Sequence, residues 1–210
     1  MRKIDIGSWK RRTTFEYFKD FEDPFFNLTA PVDAGSLYRF AKANDLSFAL
    51  MSLHCSLQAA NSIPELRLRI IGDEVVEFDR IHATQTILNA DDTFSFCYFE
   101  YLPDPFDFVR AGKVSLDKYR GLKTFDVEDE RLDLIYYSVI PWVSFTSFKH
   151  ASRHDNRQSV PRMVFGKLYR DGERHMMPHS VEVHHALADG LHVGRYFEAL
   201  QTTMDAVGNL

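Results

Sequence analysis

The chain has no long apolar run, only two cysteines in 210 residues, and no basic tract longer than Lys10-Arg11-Arg12. Each shortage removes a class of function. No stretch approaches the roughly 18 apolar residues that a membrane helix requires, so no spanning segment is expected. Cys55 and Cys97 form no C-x-x-C pair and no Cys/His finger spacing, which excludes a zinc module or a disulfide framework read from spacing. Both lie in apolar stretches and read as buried thiols of a reducing compartment. Lys and Arg number 25 against 30 Asp and Glu, a net charge of −5 that offers no electrostatic footprint to nucleic acid or an anionic membrane. The opening MRKIDIGSWKRR is basic but is followed by no apolar signal core, so a cytoplasmic protein is expected. With no repeat, low-complexity tract or Gly/Ser linker, residues 1–210 read as one domain.

Ordinary proportions of apolar (45%) and charged (26%) residues describe a globular chain with a sizeable core. Aromatics stand out, with 18 Phe and 9 Tyr, and fit an aromatic-lined pocket, a subunit interface or an aromatic core. Helices and strands alternate throughout. The pattern predicts a short helix over Thr13–Phe21, a strand over Phe25–Val32, and helices over Ala34–Asn44 and Ser47–Ile63. The last of these is apolar or small nearly all round and is ended by Pro64. Period-2 runs flanking Gly72-Asp73 predict a hairpin from Leu66 to Phe78. A strand follows over Thr93–Leu102, then a helix over Pro105–Arg120 with Phe106, Val109 and Leu116 on one face. A charged loop, Asp126 to Arg131, leads to a strand over Leu134–Ile140. After a polar loop, Lys149 to Ser159, a second hairpin joins Arg162–Tyr169 to His175–His185 through Asp171-Gly172. A closing helix over Leu191–Val207 carries Leu191, Val193, Phe197, Leu200 and Met204 as its apolar stripe.

The stretch from His179 to Gly190 holds the chemistry. As a strand it sets Val181, Val183 and His185 on one face and Glu182 and His184 on the other. His185 then points with the apolar side chains, where desolvation favours a neutral imidazole able to accept a proton. Three readings of the segment compete. In the first, Asp189 is a helix N-cap and His185 a core histidine satisfied by backbone. In the second, His184, His185 and Asp189 hold a metal, with His175 and His179 nearby, as in a metal-dependent hydrolase. Adjacent strand residues face opposite ways, however, and Pro178 breaks the His175-x-x-x-His179 pair as a helical ligand set, so no metal is expected. In the third, His185 is a general base and Asp189 a structural carboxylate.

His184-His185-x-x-x-Asp189-Gly190, continued by Leu191-His192-Val193-Gly194-Arg195, resembles the H-H-x-x-x-D-G motif of the chloramphenicol acetyltransferase family, and more loosely that of other acyl-CoA-dependent acyltransferases. Two further blocks agree. Pro141-Trp142-Val143-Ser144-Phe145-Thr146-Ser147-Phe148 is similar to the P-W-V-x-F-x-S-F block of that family, and Trp9-Lys10-Arg11-Arg12 to its W-x-R-R opening. The resemblance implies a two-layer α/β sandwich with a mixed, mostly antiparallel sheet and helices on one side. It implies acetyl transfer from acetyl-CoA, the cosubstrate, to a hydroxyl of chloramphenicol or a related small molecule. By the same resemblance His185 is the general base, its imidazole bonded to its own backbone carbonyl. Asp189 pairs with Arg11 to hold the corner, and Ser138, three residues before Pro141, donates to the oxyanion. Lys167 matches a lysine near the CoA phosphates. The family's homotrimer places each site between subunits, with the base from one chain and the serine and most of the acceptor pocket from its neighbour.

The acceptor pocket departs from the family pattern more than the catalytic blocks do. An aromatic pair is inverted as Tyr17-Phe18, although Phe26 keeps a downstream aromatic. His150 and Ser152 stand where aliphatic residues are usual, and Val164 replaces a threonine. Tyr136 replaces an asparagine, and Leu168 a tyrosine. A pocket selects by matching its few polar groups, so such changes shift the acceptor while preserving the chemistry. Phe94, Phe96 and Phe148 complete the expected pocket, with core packing as the alternative for each. A non-catalytic trimeric binding homologue is the competing function. It gives no reason to retain a histidine that lacks a carboxylate partner together with Arg11, Asp189 and Ser138.

Overall fold

The computed structural model describes residues 1–122, 131–151, 158–208 and 210. Most of the loop expected from Asp126 to Arg131, together with Ser152 and His154, lies outside the described residues. Five helices and ten strands follow in chain order: β1 (Arg2–Lys3), α1 (Arg12–Phe18), β2 (Phe25–Asp33), α2 (Gly35–Ala43), α3 (Phe48–Ser62), β3 (Leu68–Ile71), β4 (Glu74–Glu77), β5 (His82–Leu88), β6 (Phe94–Phe99), α4 (Pro105–Tyr119), β7 (Leu134–Val139), β8 (Arg162–Phe165), β9 (Tyr169–Asp171), β10 (Arg174–His184) and α5 (Gly190–Val207).

Local chemistry sets the ends of these elements. Ser47 caps α3, its hydroxyl accepting from the Leu50 N–H, and Pro64 turns the chain into a 3-10 turn over Pro64–Arg67. The expected first hairpin strand is therefore two residues shorter than its pattern, because Leu66 and Arg67 belong to this turn. Gly72, at φ +61°, takes the left-handed conformation that the tight β3–β4 connection needs. Asp104 caps α4 and Pro105 starts it. The buried face of α4 is Phe108, Val109, Gly112 and Tyr119, whereas Phe106 is 44% exposed. Of the expected stripe, Val109 and Leu116 pack on the core and Phe106 does not, while Gly112 and Tyr119 complete the buried face. A Cβ at Gly112 would meet Leu50 Cδ2 at 3.0 Å, so α3 and α4 approach where no side chain intervenes. In α5 the stripe is His192, Val193, Tyr196, Leu200, Met204 and Val207, and Leu191 faces outward.

The main sheet has the order β2-β10-β8-β7-β5-β6, with β9 also paired to β10. Its β5–β7 and β7–β8 pairs are parallel and the others antiparallel, so the sheet is mixed and mostly antiparallel. Strand β5 was not legible in the pattern: His82-Ala83-Thr84-Gln85 is polar and poorly alternating, yet it is held between β6 and β7 with Thr84 and Gln85 buried. The expected β3–β4 hairpin stands in a separate small sheet, β1-β4-β3, whose strand β1 was not expected. Its side chains join Phe15 of α1 and the residues just after β10, Ala186 and Leu187, in a second apolar cluster. The fully buried Arg69 of β3 ties this unit to the main sheet by donating to the carbonyls of Leu66, Leu68, Leu132 and Leu134.

Expected as one strand, Arg162–Tyr169 is broken. Phe165 pairs with His179 and Tyr169 with Met176, so four steps on one strand face three on the other. The extra residue makes a β-bulge at 166–168. Helices α2 to α5 cover one face of the sheet, packing on Ile135, Tyr137, Met163, Phe165, Val181 and Val183. The opposite face carries two rows that run across the strands. One is Tyr98, Thr84, Tyr136, Arg162, Glu182 and Asn27; the other is Phe96, Thr86, Ser138, Val164, Ser180 and Thr29.

Within the helix-side core, four polar side chains form one chain of hydrogen bonds. The Ser56 hydroxyl lies 2.7 Å from Tyr137 Oη and 2.6 Å from Tyr196 Oη, which lies 2.8 Å from His179 Nε2; His179 Nδ1 lies 3.1 Å from the Val164 carbonyl. Complete burial pushes His179 down to about 3, so the folded protein holds it neutral. An unfolded histidine takes up a proton near pH 6.5. As pH falls from there towards 3, the unfolded state binds a proton that the native state refuses, and stability falls by up to about 1.4 kcal/mol per pH unit from this group. Urea unfolding across that window, compared with His179→Gln, should show the variant losing stability less steeply. Identical slopes would show that His179 carries no such penalty.

Candidate active site

His185 follows the last residue of β10, and its backbone N–H still donates to the Pro24 carbonyl at 2.8 Å, continuing the pairing with β2. Its ring stacks on Phe18, with centroids 4.0 Å apart and planes 8° from parallel, and lies 4.8 Å from Phe26. Nδ1 is buried without a hydrogen-bond partner, so the bond to its own carbonyl that the resemblance implies is not formed in this structure. The preceding His184 turns the other way, its ring against Phe25 and its Nδ1 accepting from the Ala186 N–H at 3.2 Å. The neighbouring imidazoles therefore do not converge. Among the described residues, no group of three or more His, Cys, Asp or Glu is arranged to hold a metal ion.

The expected alternation along β10 is present, but both of its faces are buried, so Glu182 and His184 face an interior and not solvent. At the corner beyond β10, Asp189 does two things at once. It caps α5, with Oδ1 accepting from the Leu191 N–H at 3.1 Å, and its own N–H donates to His192 Nδ1 at 3.1 Å. Its Oδ2 accepts from Arg11 Nη1 at 2.6 Å, and Arg11 Nη2 reaches the His185 carbonyl at 3.4 Å. The N-cap reading and the ion-pair reading are therefore one arrangement. Burial alone would raise the Asp189 carboxyl; the Arg11 hydrogen bond, the charges of His192 and Arg11, and the Leu191 N–H outweigh it and hold the group below its ordinary value.

Ser138 sits elsewhere, near the end of β7 on the sheet face away from the helices. It lines a cavity of about 600 Å³ together with Phe94, Phe96, Tyr98, Tyr136, His150 and Arg162. Thr86 Oγ1 lies 3.4 Å from its hydroxyl. Val164, directly across from Ser138 on β8, is buried. Phe148 does not line the cavity but packs its ring 4.9 Å from His150. Tyr17, 66% exposed, clusters with Phe18 and Phe21 on the His185 side. The bulge leaves Lys167 exposed, its N–H donating to the Val143 carbonyl and its carbonyl accepting from Ser144.

The sequence-predicted residues thus fall into two groups. Around His185 stand Phe18, Phe26, Arg11 and Asp189; around the cavity stand Ser138, Phe94, Phe96 and His150. Ser138 is level with Val164 on β8 and, through it, with Ser180 on β10. His185 lies two strand spacings across, about 10 Å, and five residues along, about 16 Å, on the helix side of the sheet. Within one chain, no single small substrate reaches both. The sequence reading missed Arg162 as a cavity residue, although a lone cation inside the apolar run Pro161-Arg162-Met163-Val164-Phe165 was a signal for it.

A family profile described as "Chloramphenicol acetyltransferase" matches residues 1–201. A chloramphenicol acetyltransferase of Escherichia coli is 30% identical over 203 residues, spanning 96% of this chain and 93% of the relative. A solved chloramphenicol acetyltransferase superposes with a TM-score of 0.90 at 29% identity, covering 97% of this chain and all of that one. A probable dihydrolipoamide acetyltransferase from Listeria monocytogenes, 17% identical, shares the fold with a TM-score of 0.61 over 99% of this chain and 95% of its own.

Asp189→Asn keeps the cap oxygen but leaves Arg11, whose side chain is 8% exposed, without its counter-charge. A loss of about 1–3 kcal/mol is expected, solvent at the one-third exposed Asp189 screening part of the pair. Because the native carboxyl is held low, the difference is full above the ordinary Asp value near 4 and closes as pH falls through the lowered one. Unfolding curves of both proteins at pH 7 and pH 3 test this; equal stability at pH 7 would deny the pair its structural role.

Proposed function

The chain belongs to the chloramphenicol acetyltransferase family and is an acyltransferase, and we propose that it moves the acetyl group of acetyl-CoA to a hydroxyl of chloramphenicol or a related small alcohol. The observation that carries this reading is the setting of His185. It is a histidine stacked on one phenylalanine ring, with a second tilted against it, and among the described residues paired with no carboxylate, with Nδ1 buried so that Nε2 is the nitrogen a substrate meets. Such an imidazole takes a proton from an acceptor hydroxyl as the oxygen attacks, and returns it to the departing thiolate. Ser138 donates a hydrogen bond to the oxygen on which negative charge collects. Arg11 and Asp189 hold the backbone of the corner from which His185 projects.

Acetyl-CoA supplies the acetyl group already activated as a thioester. Lys167 fits such a molecule as an exposed cation for a phosphate, beside the exposed Trp142 and Val143. The separation of His185 from Ser138 supports a homotrimer in which the base of one subunit faces the serine and cavity of the next, since two copies bring together what one chain holds apart. The acceptor contacts then come from both groups: Phe18, Phe26 and Tyr17 around the base, and Phe94, Phe96, Phe148, His150 and Val164 in or behind the cavity. Among the described residues no helix is long and apolar enough to cross a membrane. A cytoplasmic setting is supported by Cys55 and Cys97, both unpaired, their thiols pushed up to about 12 by burial and so unreactive.

Thiol release from acetyl-CoA, measured with and without chloramphenicol, tests the activity. Wild type should release thiol only with acceptor, His185→Ala should lose about 10²–10⁴ in kcat, and Ser138→Ala about 10²–10³. Release that ignores His185 would refute the assigned base.

Coexpression of His185→Ala and Ser138→Ala chains tests the shared site. In random trimers about a quarter of the interfaces pair an intact base with an intact serine, so about a quarter of wild-type activity should return. No recovery in mixed trimers, or a fully active monomer in sedimentation, would place the whole site in one chain.

A further inference from the structure

One end of the Ser138 cavity carries charge that acetyl transfer does not require. Apart from tyrosines, the ionisable side chains lining it among the described residues are Arg162 and His150, with no Asp, Glu or Lys. Arg162 is nearly buried, and its guanidinium is fixed from three sides. Nη1 donates to Glu182 Oε1 at 2.9 Å, Nη2 donates to Gln158 Oε1 at 2.6 Å, and the Phe25 ring lies 4.6 Å from its central carbon. Glu182 stands opposite Arg162 in the β8–β10 register and does not line the cavity. Of the ion pair, Arg162 therefore lines the cavity and Glu182 does not.

These contacts use two of the five N–H donors of the guanidinium. His150, beside it, has Nδ1 3.7 Å from Glu182 Oε1, and among the described residues neither ring nitrogen has a hydrogen-bond partner. A buried ion pair of this kind adds little net stability against an apolar pair of the same size, so stability alone does not account for it. It does orient a cation. Arg162 pairs with Tyr136, and Ser138 with Val164, so the reacting end and the cationic end are diagonal neighbours on one sheet face, about 8 Å apart between Cα atoms.

We propose that the acceptor is an alcohol bearing a carboxylate-class anionic oxygen group at the end remote from the hydroxyl that is acetylated, with Arg162 and His150 as the residues that read it. This rests on the acetyltransferase reading of the same cavity and narrows its substrate class. The planar guanidinium, with donors to spare, suits two oxygens of one group.

The test compares 4-(hydroxymethyl)benzoate with its neutral methyl ester as acceptors of the wild-type protein, reading kcat and KM by thiol release and affinity by calorimetry. The acid should be preferred about tenfold or more, mainly through KM, as one charge-assisted contact allows. The double variant Arg162→Met/Glu182→Met removes both charges and so leaves no unpaired buried charge; it should lose the preference and bind the acid no better than the ester. His150→Leu, which leaves the ion pair intact, should reduce the preference even if the double variant does not fold. Equal or better use of the ester by wild type, or a preference that survives in a folded double variant, overturns the proposal. If neither compound is acetylated or bound while chloramphenicol still drives His185-dependent release, the proposal fails and the acetyltransferase reading stands. If no alcohol drives such release but the acid binds through Arg162, the reading fails and the recognition of the anion stands.

Discussion

Strand β10 is hydrogen-bonded along both edges and buried on both faces, and it carries His179, Ser180, Glu182 and His184. A polar group taken out of water without a partner costs as much as several apolar contacts return. Each of these four side chains therefore dictates a residue elsewhere. Ser180 is met by Asn27, Glu182 by Arg162, and His184 by the Ala186 N–H. His179 imposes the longest series. Its Nδ1 faces a carbonyl and must carry the proton, so Nε2 accepts and Tyr196 must donate to it. Tyr196 then accepts from Ser56, and Ser56 from Tyr137. One tautomer on β10 thereby fixes hydroxyl directions on α5, α3 and β7.

This satisfaction also explains why the two groups of sequence-predicted residues hold their places. Tyr137, at the end of the series, is next to Ser138, so β7 is tied through the helix layer to β10, the strand that ends just before His185. On the opposite face the Arg162–Glu182 pair ties β8 to β10 within the row next to that of Ser138. By strand spacing, His185 and Ser138 stand about 20 Å apart across this sheet.

Much of this was legible in the sequence where chemistry and periodicity coincide. The all-round apolar run of α3, the Gly72-Asp73 turn and the H-H-x-x-x-D-G corner each state their structure locally, and the corner formed with Arg11 across 178 positions as the resemblance implied. What escaped was determined at a distance. Strand β5 has a poor pattern because its neighbours on both sides, and not its own alternation, bury Thr84 and Gln85. The bulge at Lys167 exists only relative to β10. In α4 the contact at Gly112 escaped, because apolar periodicity has no means of weighting a glycine that admits a neighbouring leucine. The role of Arg162 needed the register that sets it beside Tyr136 and opposite Glu182.

The corner shows why its carboxylate must be short. Oδ1 of Asp189 is placed by the cap geometry, since only a side chain with one methylene folds back onto the Leu191 N–H. Once that oxygen is fixed, the planar carboxylate has no freedom left, and Oδ2 is delivered to Arg11 in a defined direction. A glutamate would separate the two tasks, reaching Arg11 while losing the cap or the reverse. The guanidinium in turn spends its second nitrogen on the His185 carbonyl. The direction in which His185 leaves the end of β10 is therefore set through two side chains by the first turn of α5.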